Sequence, residues 1–275
     1  MYNGLLEKLE FFPPMRESIE RLNRLCEEND VDILAFAQTI EADPMLFSDI
    51  LRAVNAPFYG FQSEITSIRH ALTIFGVSKI HGLALQASLT QYADDALDAY
   101  GITLQSWLNT MRQQQEFLFY ILKNDDDPAS FVKLSGVMFV LEIGKLAANY
   151  LLKEKGKTYR FTATDPYALL EEERSVLGHS GDELAVLLFE NWHFEPEFIE
   201  LYRHSLHAEK ASMHTKVTAM LQLARVLITI HGVQPFERAE TLIERFGLNR
   251  PVVESAYRHI LDNFAHEPMH IACKA

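Results

Sequence analysis

The stretch ILAFAQTIEADPMLFSDILRAVN, residues 33–55, decides the fold class. Its apolar residues fall three and four apart, first Ile33, Phe36, Ala37 and Ile40, then Leu46, Ile50, Leu51 and Val54. That is the spacing of one buried helix face. Between the two sets stands Asp43-Pro44. The aspartate side chain can take up free amides of a first helical turn, and a proline at the first helical position gives up no hydrogen bond. Two short amphipathic helices joined by a tight link are predicted. The same pair recurs at Asp127-Pro128 and Asp165-Pro166, so helix starts are spread along the chain.

The pattern continues outward from there. Ser67 is placed to cap a helix carrying Ile68, Ala71, Leu72 and Phe75, which Gly76 can end in a left-handed conformation. Ser78 is placed to cap the next, through Leu83, Leu85 and Leu89. Leu104, Trp107, Leu108, Met111, Leu118, Ile121 and Leu122 mark a long helix up to Asn124, with Gln113-Gln114-Gln115-Glu116 read as its solvated face. An acidic turn is expected at Asp125–Asp127, then a central apolar helix from Pro128 to Lys155 with Gly156 behind it. Residues 157–163 read as a loop, where Lys157, Tyr159 and Arg160 form a small basic patch. Further helices are expected over 166–177, 181–193, 196–206, 211–231, 236–246 and 251–264. No strand-like alternation lasts long enough to build a sheet, and no fixed-period repeat is present. The fold class is all-α. Asp94, Asp95 and Asp98 interrupt the apolar pattern around Tyr92–Tyr100, which places a seam between an N-terminal helical lobe, residues 1–95, and a larger lobe, residues 96–275.

Bulk composition narrows the function. A 275-residue chain that is 48% hydrophobic can bury a sizeable core, and only 12 Gly and 10 Pro argue against a turn-rich β fold. Thirty-eight acidic against 25 basic residues give a net charge of −13, which repels phosphate backbones, and no dense basic run offsets it. No nucleic-acid partner is expected. Two cysteines, Cys26 and Cys273, suit a reducing compartment. The first ten residues lack the basic-then-apolar order of a signal peptide, and Lys133, Gln222 and Arg225 interrupt the two most apolar stretches. Hence no membrane partner and a cytoplasmic location are expected.

Several motifs in the first lobe occur in a specific order. Leu9–Met15 holds two phenylalanines and Pro13-Pro14. Next come Ile40-x-x-Asp43-Pro44-x-Leu46, then Leu51-Arg52-x-Val54-Asn55-x-x-Phe58-Tyr59-Gly60, then Ile65-x-Ser67-Ile68-x-x-Ala71-x-x-x-Phe75-Gly76. This text resembles the HDOD domain, a bacterial signalling module related to the HD phosphohydrolases. The likeness runs on to about residue 230 through Tyr100-Gly101, Trp107, Ile143-Gly144-Lys145-Leu146, Glu173, Gly178, Leu187-Leu188, Trp192, Pro196 and His204. It implies that the second lobe is a degenerate HD-like helical bundle. Beside the resemblance, Asn55 can take a left-handed backbone conformation or bond local amides at a helix end, and Trp107 and Trp192 read as core anchors.

HD phosphohydrolases work through metals held by histidines and aspartates, since the metal acidifies bound water and neutralises phosphate. At the positions the resemblance assigns to those ligands, this chain carries Asn109, Leu141, Glu142, Gly181, His204, Ser205 and Arg225. Leucine and glycine offer no side-chain donor, and an arginine repels a cation. Glu142 and His204 alone cannot hold a catalytic divalent metal. No metal, no cofactor and no enzyme activity are expected. If the former cleft still binds a ligand, Glu142, His204, Ser205 and Arg225 are its candidate residues, with Arg225 able to meet a nucleotide or other anion.

Other clusters carry less. His179-Ser180-Gly181-Asp182 has the residue types of a triad, but neighbours at a helix start cannot form one, and Ser180 or Asp182 reads as a cap. His204, His207 and His214 lack a set of further ligands for zinc and read as hydrogen-bonded histidines. The expected function is a non-catalytic signalling module that binds a partner protein or a small molecule. A nucleotide or anion sensor is the alternative, and a divergent metal-dependent phosphohydrolase comes third.

Overall fold

The computed structural model describes residues 15–26, 30–56, 59, 63–90, 96–124, 134, 136–192 and 194–264. The Phe-Pro motif before Met15, Phe58, Gly60, the Asp127-Pro128 start with its acidic turn, the seam residues 92–95, and Cys273 lie outside the described residues. So does the tail beyond 264.

On the N-terminal side of the expected seam, the expected first lobe, stand α1 (Glu17–Cys26), α2 (Ile33–Glu41), α3 (Pro44–Val54), α4 (Ile68–Phe75) and α5 (Val77–Thr90). Its capping residues act as their chemistry demands. Asp43 accepts from the amides of Met45 and Leu46, with Pro44 in the first turn of α3, and Ser67 accepts from the amide of His70 at the start of α4. Gly76 does end α4 at a positive φ of 75°, but with ψ of 164° it is extended rather than left-handed helical. The backbone therefore reverses directly into α5 at Val77, and Ser78 lies inside the first turn instead of capping it. Asn55 closes the loop after α3. Its amide nitrogen donates to the carbonyls of Leu51 (2.9 Å) and Ile65 (2.8 Å), and its oxygen accepts from the Ile65 amide (2.8 Å).

Beyond that seam, the expected second lobe opens with an antiparallel pair, β1 (Ala96–Leu97) and β2 (Ile102–Thr103). Then come α6 (Leu104–Lys123), α7 (Ile143–Glu154), α8 (Pro166–Leu177), α9 (Gly181–Asn191), α10 (Pro196–Arg203) and α11 (Thr215–Leu227). A second antiparallel pair, β3 (Ile228–Thr229) and β4 (Gly232–Val233), leads into α12 (Glu237–Phe246) and α13 (Arg250–Phe264). The all-α reading holds, the ladders being two residues long each.

Three readings of this lobe change. The expected central helix is broken: between Val137 and Ile143 the amides bond three residues back, Val140 to Val137 and Ile143 to Val140, and the regular helix starts at Ile143. The turn frees backbone carbonyls for side chains of other helices. Trp107 Nε1 donates to Glu142 O (3.0 Å) and the Tyr202 hydroxyl to Leu141 O (3.5 Å). Gln114, Gln115 and Glu116 are buried, not solvated, because α6 packs against both α13 and α11. The helix expected over 211–231 likewise stops at Leu227, where β3 begins.

One continuous set of buried apolar side chains runs through both lobes. Polar and ring contacts also cross between them. Asn23 Nδ2 donates to Trp192 O (3.2 Å), and the Lys79 ammonium lies 3.6 Å from the centre of the Phe119 ring. Within the second lobe, α7 and α9 cross at Gly144 and Gly181. A β-carbon on Gly144 would stand 2.6 Å from the Gly181 carbonyl, so the two backbones touch.

Candidate functional site

The crossing of α7 and α9 fixes the centre of the second lobe, and polar side chains converge on it. Glu142 precedes α7, Asp182 is the second residue of α9, Ser205 follows α10, and Arg225 lies in the last turn of α11. Glu142, Ser205 and Arg225 are buried, Arg225 and Glu142 each 3% exposed, and Asp182 is half-buried. The Arg225 guanidinium grips Asp182 with both arms, Nη1 to Oδ2 at 2.6 Å and Nη2 to Oδ1 at 2.9 Å. The same Nη1 donates to Ser205 Oγ at 2.8 Å. Arg225 Nε stands 3.8 Å from Glu142 Oε1, too far for a hydrogen bond but close enough for strong attraction between buried charges.

Glu142 is further tied down. Gln114 Nε2 donates to its Oε1 at 2.6 Å and to Ile228 O at 2.8 Å, and Lys145 pairs with its Oε2 one turn along α7. Two carboxylates are thus matched by two cations in one network. Burial alone would lower the pKa of Arg225, but Asp182 and then Glu142 outweigh it and hold the guanidinium above the usual arginine value. Beside this cluster, the Tyr100 hydroxyl (2.6 Å) and the Gly181 amide (2.6 Å) both donate to the Glu173 carboxylate. Burial raises the Glu173 pKa against the opposing pull of Lys145 and Tyr100.

The free space at this centre is about 20 Å³, lined by Glu142, Lys145, Asp182, Arg225 and His231 among others. That is room for about one water molecule. Of the residues singled out in the sequence, Glu142, Ser205 and Arg225 meet here. His204 does not. It caps the end of α10, its Nε2 stands 3.4 Å from Glu200 Oε1, and it lines an open groove of about 830 Å³ with Arg203 and Lys210, which shares Leu170 and Asp182 with the central space. Asn109 sits on α6 and accepts from Gln105 (2.8 Å), while Leu141 and Gly181 are packing positions. His207 and His214 turn to Glu209 and Glu197, each histidine of the supposed zinc trio having its own carboxylate. Ser180 caps α9 in a reciprocal pair with Glu183, and Asp182, freed of that task, takes the arginine.

Asp182, Gln114 and Lys145 are the members that sequence reading missed. Lys145 carried a signal, since a Glu142–Lys145 pair three apart on a helix is a common ion pair. Asp182 and Gln114 carried none. The metal implied by the HD-like fold does not fit these residues: an arginine occupies the centre of the carboxylates, and both carboxylates already hold cations. Among the described residues no three His, Cys, Asp or Glu side chains come together as a metal requires.

The fold has known counterparts. A candidate phosphohydrolase from Shewanella amazonensis SB2B is similar with a TM-score of 0.66, at 18% identity over 94% of each chain. A candidate signal transduction protein from Marinobacter aquaeolei VT8 gives 0.67 at 18% identity, over 94% of this chain and 58% of that one. An HDOD domain protein with unknown function from Geobacter sulfurreducens gives 0.59 at 16% identity, over 95% and 93%. Among curated proteins none matches the sequence. No helix among the described residues is long and apolar enough to cross a membrane. The HDOD domain is matched over residues 12–208, well over half of the chain, and the protein belongs to that family.

Proposed function

We propose that this protein is a non-catalytic signal-transduction module that acts by binding a partner protein or a small molecule. The observation that carries the reading is the Arg225–Asp182 pair at the centre of the second lobe. A guanidinium there supplies the positive charge that a hydrolase draws from its metal, but it cannot acidify a water or accept a nucleophile. The same pair weighs against the anion-sensing alternative. Both terminal nitrogens of Arg225 are bonded within the protein, only Nε making no hydrogen bond, and a phosphate would first have to displace Asp182.

The signalling half of the proposal draws on the family and on the name of the Marinobacter relative. A docking face is suggested by Ile33, Leu34 and Met45, apolar and exposed at the starts of consecutive helices in the first lobe. Scattered exposed apolar residues are ordinary, but three at adjoining helix starts are a reasonable place to begin.

The catalytic half is tested by incubating the purified chain with Mn²⁺, Fe²⁺ or Zn²⁺ and bis(p-nitrophenyl) phosphate. Turnover is expected at the level of the metal alone. Protein-dependent turnover that disappears in His204→Ala would overturn the non-catalytic reading. For the partner half, a protein crosslinked to the chain in cells should be lost from a variant carrying Ile33→Asp, Leu34→Asp and Met45→Asp. It should be retained with Met213→Asp, an exposed change in the other lobe. Retention by the triple variant would place docking on another surface.

A further inference from the structure

A cavity of about 220 Å³ lies between the two lobes and shares no lining residue with the Arg225 cluster. Its walls come from α1 (Asn23), α5 (Val77, Ser78, His81), Phe194 and α10 (Phe198). One wall is aromatic, its rings ordered against one another. The His81 ring lies parallel to Phe194, 14° between planes and 6.1 Å between centres, and Phe194 meets Phe198 at 4.8 Å.

One hydrogen-bond chain fixes the chemistry of that wall. Asn23 Nδ2 donates to Trp192 O, which leaves Asn23 Oδ1 as an acceptor pointing at His81 Nε2, 2.7 Å away. The imidazole therefore carries its proton on Nε2 and donates it to Asn23. Its other nitrogen, Nδ1, keeps a lone pair, and among the described residues no group donates to it. Burial holds the ring neutral, with a pKa lowered to about 4. A neutral acceptor on an aromatic wall calls for a donor on a flat ligand.

We propose that this cavity binds a small, flat, uncharged heteroaromatic molecule whose N–H donates to His81 Nδ1. Size supports the class. A dry cavity of about 150 Å³ accepts a benzene ring, and 220 Å³ accommodates a fused pair of rings. Charge supports it too. Glu195 and Glu197 stand in the cavity wall and the whole chain carries −13, so an anion is disfavoured. The proposal does not rest on the partner-docking reading, and either can fail alone.

The test uses the full chain at pH 7.5 with three probes, indole, 1-methylindole and indole-3-carboxylate, titrated by calorimetry and followed by amide NMR. Indole is expected to bind with one-to-one stoichiometry, about tenfold or more tighter than the methylated probe, which has no donor, and than the anion. His81→Phe keeps the stacked ring but loses the acceptor, and should bring indole and 1-methylindole to equal affinity. Ser78→Phe, which fills the cavity from its rim, should abolish binding while the melting temperature holds. Failure of the wild-type chain to bind indole, equal wild-type affinity for indole and 1-methylindole, or an unchanged preference in His81→Phe would overturn the proposal. If His81→Phe does not fold, the wild-type probe series and Ser78→Phe decide, and unaltered binding to Ser78→Phe overturns it.

Discussion

At the scale of single residues, Arg225 and Asp182 are each other's bidentate answer to burial. A buried charge stripped of its partner costs about 3–5 kcal/mol, whereas replacing both partners with apolar groups is often neutral. Arg225→Met alone leaves Asp182 without its cation, while Glu142 keeps Lys145, and urea unfolding should show a loss of that size. Adding Asp182→Leu should recover about half or more. A single variant as stable as wild type would mean that the pair does not hold the lobe together. Asn55 makes a second such prediction. Asn55→Ala removes three hydrogen bonds to buried or half-buried backbone, and should lower stability by about 2–3 kcal/mol. Asn55→Asp should fare no better, because a carboxylate meets the Leu51 and Ile65 carbonyls with no proton to offer. The role of Asn55 was partly legible in sequence: its amide bonds backbone at the helix end, whereas the left-handed conformation that an asparagine there can also adopt is absent, φ being −91°. The Arg225–Asp182 pair was not, because 43 residues separate its members and nothing local links them.

Between elements, the contact that positions the cluster is the α7–α9 crossing. Alanine ordinarily outranks glycine in a helix by about 1 kcal/mol. At this crossing the sign should reverse, because a β-carbon on Gly181 would lie 2.7 Å from Gly144 O, backbone that cannot swing aside. Gly181→Ala and Gly144→Ala should each destabilise by about 1–3 kcal/mol, as overpacking does. Since both relieve or strain one contact, the double variant should cost less than the sum. Thermal melts of the three proteins check this, and simple additivity would show that the helices do not share the strain. The elements themselves were largely legible, because Asp43, Ser67, Asp165 and Ser180 cap helices as their side chains require. The break before α7 was not. Every residue from Val137 to Ile143 is buried, so no exposed face interrupts the apolar run, and no Gly or Pro marks the turn. Gln114 to Glu116 misled for the related reason that a polar run reads as solvated until a second helix covers it.

On the scale of the whole molecule, α5 joins the lobes through two buried nitrogen groups that titrate in opposite surroundings. His81 faces the cavity between the lobes. Lys79 points into a box of the Tyr59, Phe75 and Phe119 rings, its ammonium 4.2, 4.2 and 3.6 Å from their centres. Burial lowers the Lys79 pKa to about 6 and the His81 pKa to about 4. Both folded values lie below the unfolded ones, so between the two values of each group the unfolded chain holds a proton that the folded chain lacks. Stability must then rise with pH across each window. For His81 the window runs from about 4 to the ordinary 6.5, a loss of about 3 kcal/mol on acidification through it. For Lys79 it runs from about 6 upward to 10.5, although the ring faces favour the charged amine and soften the slope. Tyr59, whose pKa burial and then Glu116 raise, acts the other way only above its ordinary 10.0. Lys79→Met fills the same box without a charge. Urea unfolding from pH 6 to 9 should find it more stable than wild type at pH 7, with the gap closing as pH rises and the wild-type slope above pH 6 removed. His81→Phe should leave that slope and flatten the acid limb instead. Equal slopes in Lys79→Met and wild type would mean that Lys79 keeps its proton in the folded chain, held by the three rings.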